Sequence, residues 1–206
     1  MTNTRGNASN RKKSILFLGY NEYQTNIIGA TRNRGIDVHH STSLTDSHIE
    51  TDLIISFGLR EILSPRDIED CRAPILNIHI SYLPYNRGAH PNFWSWYDET
   101  PVGVTIHRID SGLDTGPIAL QRLVDIDDGK TTFRQSHQAL ITEAESLFLD
   151  NLDSLIKGDW EEIPQKVGGT YHKKNDLPIG FLGWDQIIKE EIVRLKYGER
   201  DVSVAN

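Results

Sequence analysis

Residues 53–57 (LIISF) form an apolar run of strand length with no polar alternation, and this constrains the chain more than any other feature. A strand with one face in water alternates, whereas a continuous run needs both faces covered, as in a parallel sheet between helical layers. The flanking segments fit that arrangement. Residues 14–20 (SILFLGY) read as a first strand and the mixed stretch 22–34 as a helix. Gly35 precedes a short strand at Ile36 and Val38. Pro65 opens a short helix toward Cys71 with Ser64 as its cap, and Pro74 closes it before a strand at 75–78 (ILNI). Strands alternating with short helices predict an α/β fold with a mostly parallel sheet.

The pattern changes after Pro84. Residues 85–92 are a loop rich in turn formers, 93–97 a brief aromatic helix, and 102–109 (VGVTIHRI) and 118–126 two strands around a turn at 112–117. Phe133, His137, Leu140, Ile141, Ala144, Phe148, Leu152, Leu155 and Ile156 recur at helical spacing, which predicts one long helix with a Thr132/Gln135 capping box and a stop at Gly158. Residues 168–177 are irregular, and 184–197 read as an amphipathic helix packed on the domain or on a partner. The expected organisation is a polar tail at 1–13, one globular domain at 14–172 and a helical extension at 173–206.

Composition narrows the function. A chain of 206 residues, 37% of them apolar, can bury one full core, and no apolar stretch is long enough for a membrane span. The net charge of −7 argues against nucleic acid or an anionic membrane as partner. Cys71, the only cysteine, excludes an intrachain disulfide and suits a reducing cytoplasm. None of the eight histidines has metal-motif spacing, so no metal is expected.

Polar residues enter apolar strands in one region only, residues 75–121. Asn77 and His79 are two apart, so on a strand they face the same side, and Ser81 continues the row. In a parallel sheet the carboxyl end of a strand is where ligands bind. Thr105 and His107 alternate in the same way, with a functional and a structural role equally open.

The ordered series Asn-x-His, then Leu-Pro and Arg-Gly, then Gly-Val-Thr and Leu-Asp-x-Gly, in LNIHISYLPYNRGAHPNFWSW and GVTIHRIDSGLDTGPI, resembles the folate-dependent formyltransferase family. That resemblance implies a Rossmann-like sheet, catalytic residues Asn77, His79 and Asp114, and 10-formyltetrahydrofolate as formyl donor. It places the folate pocket on the loops 57–63 and 109–114, giving Phe57, Gly58, Leu59, Arg60, Ile62, Leu63, Ile109, Asp110, Ser111 and Gly112. Formyl transfer to an amine passes through a tetrahedral oxyanion, which calls for hydrogen-bond donors and a route for the amine proton. Asn77 and His79 would donate; Asp114 would orient the imidazole or a water, its pKa raised by partial burial.

Ser81, Arg87, Gly88, His90, Trp94, Thr105 and His107 are the candidate acceptor contacts. Arg87 would orient a phosphate or carboxylate, or else anchor its own loop. Phe93, Trp94, Trp96 and Tyr97 would stack on the acceptor or pack in the core, and residues 171–174 (YHKK) would join the acceptor pocket or form a solvated turn. The segment 19–23 (GYNEY) departs from the glycine-rich phosphate loop of glycinamide ribonucleotide enzymes, and the chain leaves no room for the second domain of methionyl-tRNA enzymes. A nucleotide-linked amino sugar is therefore the first-ranked acceptor. An aminoacyl or hydroxylamine acceptor, a formyltetrahydrofolate hydrolase and an inert nucleotide-binding module follow, and a homodimer is left open.

Overall fold

The computed structural model describes residues 11–44 and 50–198. Six strands form one sheet: β1 (Ser14–Gly19), β2 (Asp37–Ser41), β3 (Leu53–Phe57), β4 (Ile75–His79), β6 (Gly103–Arg108) and β7 (Ile118–Leu123), in the order β2-β1-β3-β4-β6-β7. The first four run parallel, and β6 and β7 join antiparallel. Alternate residues serve opposite faces. Ile15 and Phe17 of β1, with Leu76 and Ile78 of β4, pack under α1 (Ile27–Asn33), α4 (Phe133–Asp150) and α5 (Leu152–Lys157). Leu16, Leu18, Ile54 and Ile75 face the other way, toward Leu63 and Ile68, the latter on α2 (Pro65–Asp70). β3 is buried along its whole length, as its unbroken apolar run requires.

Local capping matches the sequence at two helices. Ser64 and Asp67 form the capping box of α2, and Thr132 and Gln135 that of α4. Other boundaries differ. The helix expected from residue 22 begins at Ile27, because Asn21 folds the preceding segment into a turn: its side-chain oxygen accepts from Tyr23 N–H and its carbonyl from Gln24 and Thr25. The single helix expected over 133–156 breaks at Asn151, whose side chain bonds back to the Leu147 carbonyl, leaving α5 to end at Gly158. The last helix, α6 (Ile188–Tyr197), is shorter than the amphipathic stretch. It packs on the domain: Ile188, Ile192 and Leu195 join Phe93, Phe133, Phe181 and Trp184 in a third cluster over α3 (Pro91–Tyr97).

The expected loop at 85–92 holds a two-residue strand, β5 (Arg87–Gly88), paired in parallel with β8 (Tyr171–His172) in the irregular segment. Neither has an apolar pattern to announce it. The expected tail lies outside the described residues as far as residue 10. No helix among the described residues is long and apolar enough to cross a membrane.

α1 is tied to α4 by one acid. Buried Glu145 accepts from Thr25 Oγ1 at 2.8 Å, from Asn26 N–H at 2.9 Å and from Asn26 Nδ2 at 3.2 Å. Replacing Glu145 with Ala leaves those donors unpaired and is expected to lower unfolding stability by about 2–4 kcal/mol, measurable by urea denaturation.

Candidate active site

The change of sheet direction builds the site. Because β4 and β6 run antiparallel, Asn77 pairs across from His107 and His79 from Thr105, and all four side chains share one face. The same face carries apolar Ile75 one step earlier, so it turns polar only at the carboxyl end of β4. Asp114 reaches this end from the loop after β6. Its Oδ1 lies 3.5 Å from His107 Nε2 and 3.4 Å from Asn77 Nδ2, its Oδ2 lies 3.8 Å from His79 Nδ1, and Gly88 N–H donates to Oδ2 at 2.9 Å.

Backbone carbonyls fix both imidazoles. His79 Nε2 is 3.0 Å from the Asn86 carbonyl, which can only accept, so Nε2 carries hydrogen and Nδ1 faces Asp114. His107 Nδ1 likewise donates to the Arg108 carbonyl at 2.9 Å, leaving Nε2 to accept from Asn77 Nδ2 at 3.2 Å. The expected rise in the Asp114 pKa is reversed. Burial pushes it up, but the attraction of the two neighbouring imidazoles in their charged form, His79 foremost, and the Gly88 N–H outweigh burial and hold the carboxyl well below the ordinary carboxylate range.

The cluster lies on a cleft of about 940 Å³. Tyr20, Phe57, Leu59, Ile62, Leu63 and Ile109 supply apolar lining, the Tyr20 ring lying edge-on to Phe57 with centroids 5.0 Å apart. His90, Arg134, His137, Lys173, Lys174 and Trp184 supply a more cationic lining. Burial lowers the pKa of His90 and of His137, the latter helped by Arg134, so both favour the neutral form. The backbone amides of the 20–26 segment are largely consumed internally: Tyr20 donates to Phe57, Asn21 to Gln24 Oε1, and Asn26 to Glu145.

Residues 32–152 match the family described as Formyl transferase. The chain belongs to that family. The formyltransferase PseJ of Anoxybacillus kamchatkensis superposes with a TM-score of 0.78 at 35% identity, covering 89% of this chain and all of that one; its crystal structure holds UDP-4,6-dideoxy-4-formamido-L-AltNAc and tetrahydrofolate. A methionyl-tRNA formyltransferase of Roseobacter denitrificans is 33% identical over 175 residues, 80% of this chain and 55% of its own length. A dTDP-4-amino-4,6-dideoxyglucose formyltransferase of Mycobacterium tuberculosis is 33% identical over 126 residues, 61% of this chain and 53% of its own. The chain thus spans about half the length of the curated formyl transferases it matches.

At the wall of this cleft Asn77, His79 and Asp114 come together as the sequence places them. Phe57, Gly58, Leu59, Arg60, Ile62, Leu63, Ile109 and Gly112 line the cleft, as do Gly88, His90 and His107. Other candidates do not. Asp110 turns inward to accept from Gly112 N–H and Thr115 Oγ1, and Ser111 is not on the cleft wall. Ser81 Oγ donates to the Tyr85 carbonyl. Thr105 Oγ1 accepts from Leu83 N–H and Gln121 Nε2 and donates to the Ser81 carbonyl, so both hydroxyls tie the turn after β4 rather than meet a ligand. Trp94 packs in the core, its ring stacked 3.7 Å from that of His172. Arg87 lies outside the cleft with its guanidinium on Gln165 Oε1.

Tyr20, Arg134 and His137 are lining residues that sequence reasoning missed. Only His137 carried a signal, a titratable group within the apolar stripe of α4.

Because its folded pKa is depressed, Asp114 contributes stability that is fully present above the unfolded value of 3.8 and lost only as pH falls through the lower folded value. Side-chain carboxyl NMR is therefore expected to show Asp114 still ionised as pH falls from neutral to about 3, where ordinary aspartates are mostly protonated. Titration in the usual range would contradict this electrostatic reading.

Proposed function

We propose that this chain transfers a formyl group from 10-formyltetrahydrofolate to a primary amine, and that the amine is carried by a nucleotide-linked sugar. The carrying observation is the state of His79. Its Nε2 hydrogen is spent on Asn86, and its Nδ1 lies 3.8 Å from Asp114, beyond hydrogen-bonding distance. Nδ1 is thus free to take the proton that an attacking amine must lose, and the Asp114 carboxylate stabilises the imidazolium that results. Asn77 Nδ2, whose 3.4 Å contact with Asp114 is its weaker bond, is the donor for the oxygen that becomes an oxyanion. His79 accordingly acts as base rather than as the second oxyanion donor. The proton returns from His79 to the departing nitrogen of the donor, and no covalent bond to the protein is needed.

The apolar loops around Phe57, Leu59, Ile62 and Ile109 suit a flat heteroaromatic ring, and Tyr20 narrows the space beside them. Two facts favour the sugar acceptor. PseJ, which superposes on 89% of this chain at 35% identity, was crystallised with a nucleotide-linked formamido sugar and tetrahydrofolate. The 20–26 amides are largely spoken for, which leaves no ready cradle for the phosphate of glycinamide ribonucleotide. The overall charge of −7 disfavours a tRNA acceptor.

Incubation with 10-formyltetrahydrofolate and UDP- or dTDP-linked 4-amino sugars is expected to give the formamido product by mass spectrometry. Formate release without amine would identify a hydrolase, and formylation of glycinamide ribonucleotide or methionyl-tRNA alone would refute the acceptor. In the same assay His79→Ala and Asp114→Asn are each expected to lower turnover by at least about 100-fold. Near-normal turnover in either would sink the mechanism.

A further inference from the structure

Arg87 and Gln165 stand outside the main cleft, in a second depression shared with Thr115, Pro117 and Lys166. Gln165 uses its whole amide there. Nε2 donates to the Asp114 carbonyl at 2.9 Å and to the Gly116 carbonyl at 2.8 Å, while Oε1 accepts from Arg87 Nε at 3.2 Å and Nη2 at 2.7 Å. The backbone of Arg87 is itself fixed, since its N–H donates to the Thr170 carbonyl at 3.0 Å. The next residue, Gly88, donates its N–H to Asp114 Oδ2. Asp114 is therefore gripped at its backbone through Gln165 and at its carboxylate through Gly88, and both grips lead to the same β5 segment.

Such a grip is needed because Asp114 has a φ of 53°, a left-handed conformation that a residue other than glycine keeps only where its surroundings enforce it. Relaxation of that backbone would swing the carboxylate away from His79 Nδ1. We infer that Gln165, clamped by Arg87, is a positioning residue that holds Asp114 in the conformation from which its carboxylate faces His79. The inference rests on the reading of Asp114 as the partner of His79. It gives Arg87, whose place beside the site suggested an acceptor contact, a role exercised through Gln165 instead.

The chemistry of the amide provides the test. Gln165→Glu keeps the chain length and improves the partner for Arg87, but it replaces both N–H donors with oxygen facing two carbonyls. If Gln165 merely anchored Arg87, that variant would match the wild type. As a positioning residue, Gln165 is expected to lose roughly 10-fold to 100-fold in kcat as either Glu or Ala, with KM for donor and acceptor changed by less than about threefold. Arg87→Ala, which leaves both carbonyl bonds in place, should lose less. Arg87→Ala/Gln165→Ala should be no worse than Gln165→Ala alone, because the two residues form one unit.

Wild-type kcat in Gln165→Glu, a loss confined to KM, or additive losses in the double variant would each overturn the inference. Carboxyl NMR of Asp114 supplies a readout that needs no turnover: its resonance should move toward an ordinary aspartate in Gln165→Glu at unchanged thermal stability. A moved resonance in a protein that transfers no formyl group would retain the positioning role and reject the reaction. An unmoved resonance in an active protein would do the reverse.

Discussion

One buried negative charge organises this site. The Asp114 carboxylate sits among two imidazoles, an amide and a backbone N–H; the amide, the N–H and the imidazoles in their charged form favour its ionised state over the burial that opposes it. The surroundings follow from keeping that charge in place. Asn77 faces His107 because β4 and β6 run antiparallel, and the loop after β6, which starts beside Ile75, folds back to bring Asp114 to Asn77, His79 and His107.

The imidazoles are similar in sequence and different in use. Each spends one ring nitrogen on a backbone carbonyl, Asn86 for His79 and Arg108 for His107. His107 then receives Asn77 on its second nitrogen and has little left to offer, whereas the second nitrogen of His79 has no hydrogen bond at all. That asymmetry leaves one imidazole nitrogen available and its counterpart engaged. It also explains why Thr105, across the pair from His79, is an anchor for the turn and not a ligand contact.

Much of the architecture was legible in the chain because short-range physics decides it. The apolar run of β3, the Ser64 and Thr132 capping boxes and the two-residue spacing of Asn77 and His79 each follow from local periodicity. The misses depend on distant partners. Nothing near Arg87 in sequence announces Gln165, and nothing near Trp94 announces His172, although each pair is in contact. The direction of the Asp114 pKa shift is opposite to expectation for the same reason: burial can be guessed from a strand end, but the balance of four neighbours on three segments cannot. Boundaries at Asn21 and Asn151 shifted because asparagine side chains bond to nearby backbone and stop helices that apolar spacing would extend.

The pairing of β5 with β8 bears on the order in which the molecule acquires its working form. Asn86 and Thr170, which bond to each other beside that pairing, are 84 positions apart, so their meeting closes a longer loop than the strand pairings of the β1–β4 half, at a modestly larger entropic cost. During synthesis the strands bearing Asn77 and His79 leave the ribosome, and can pair, before residue 170 exists. The Gly88 N–H that steadies Asp114 is secured only when the later segment returns. The last contact around Asp114 therefore waits on a segment that emerges only after α4 and α5.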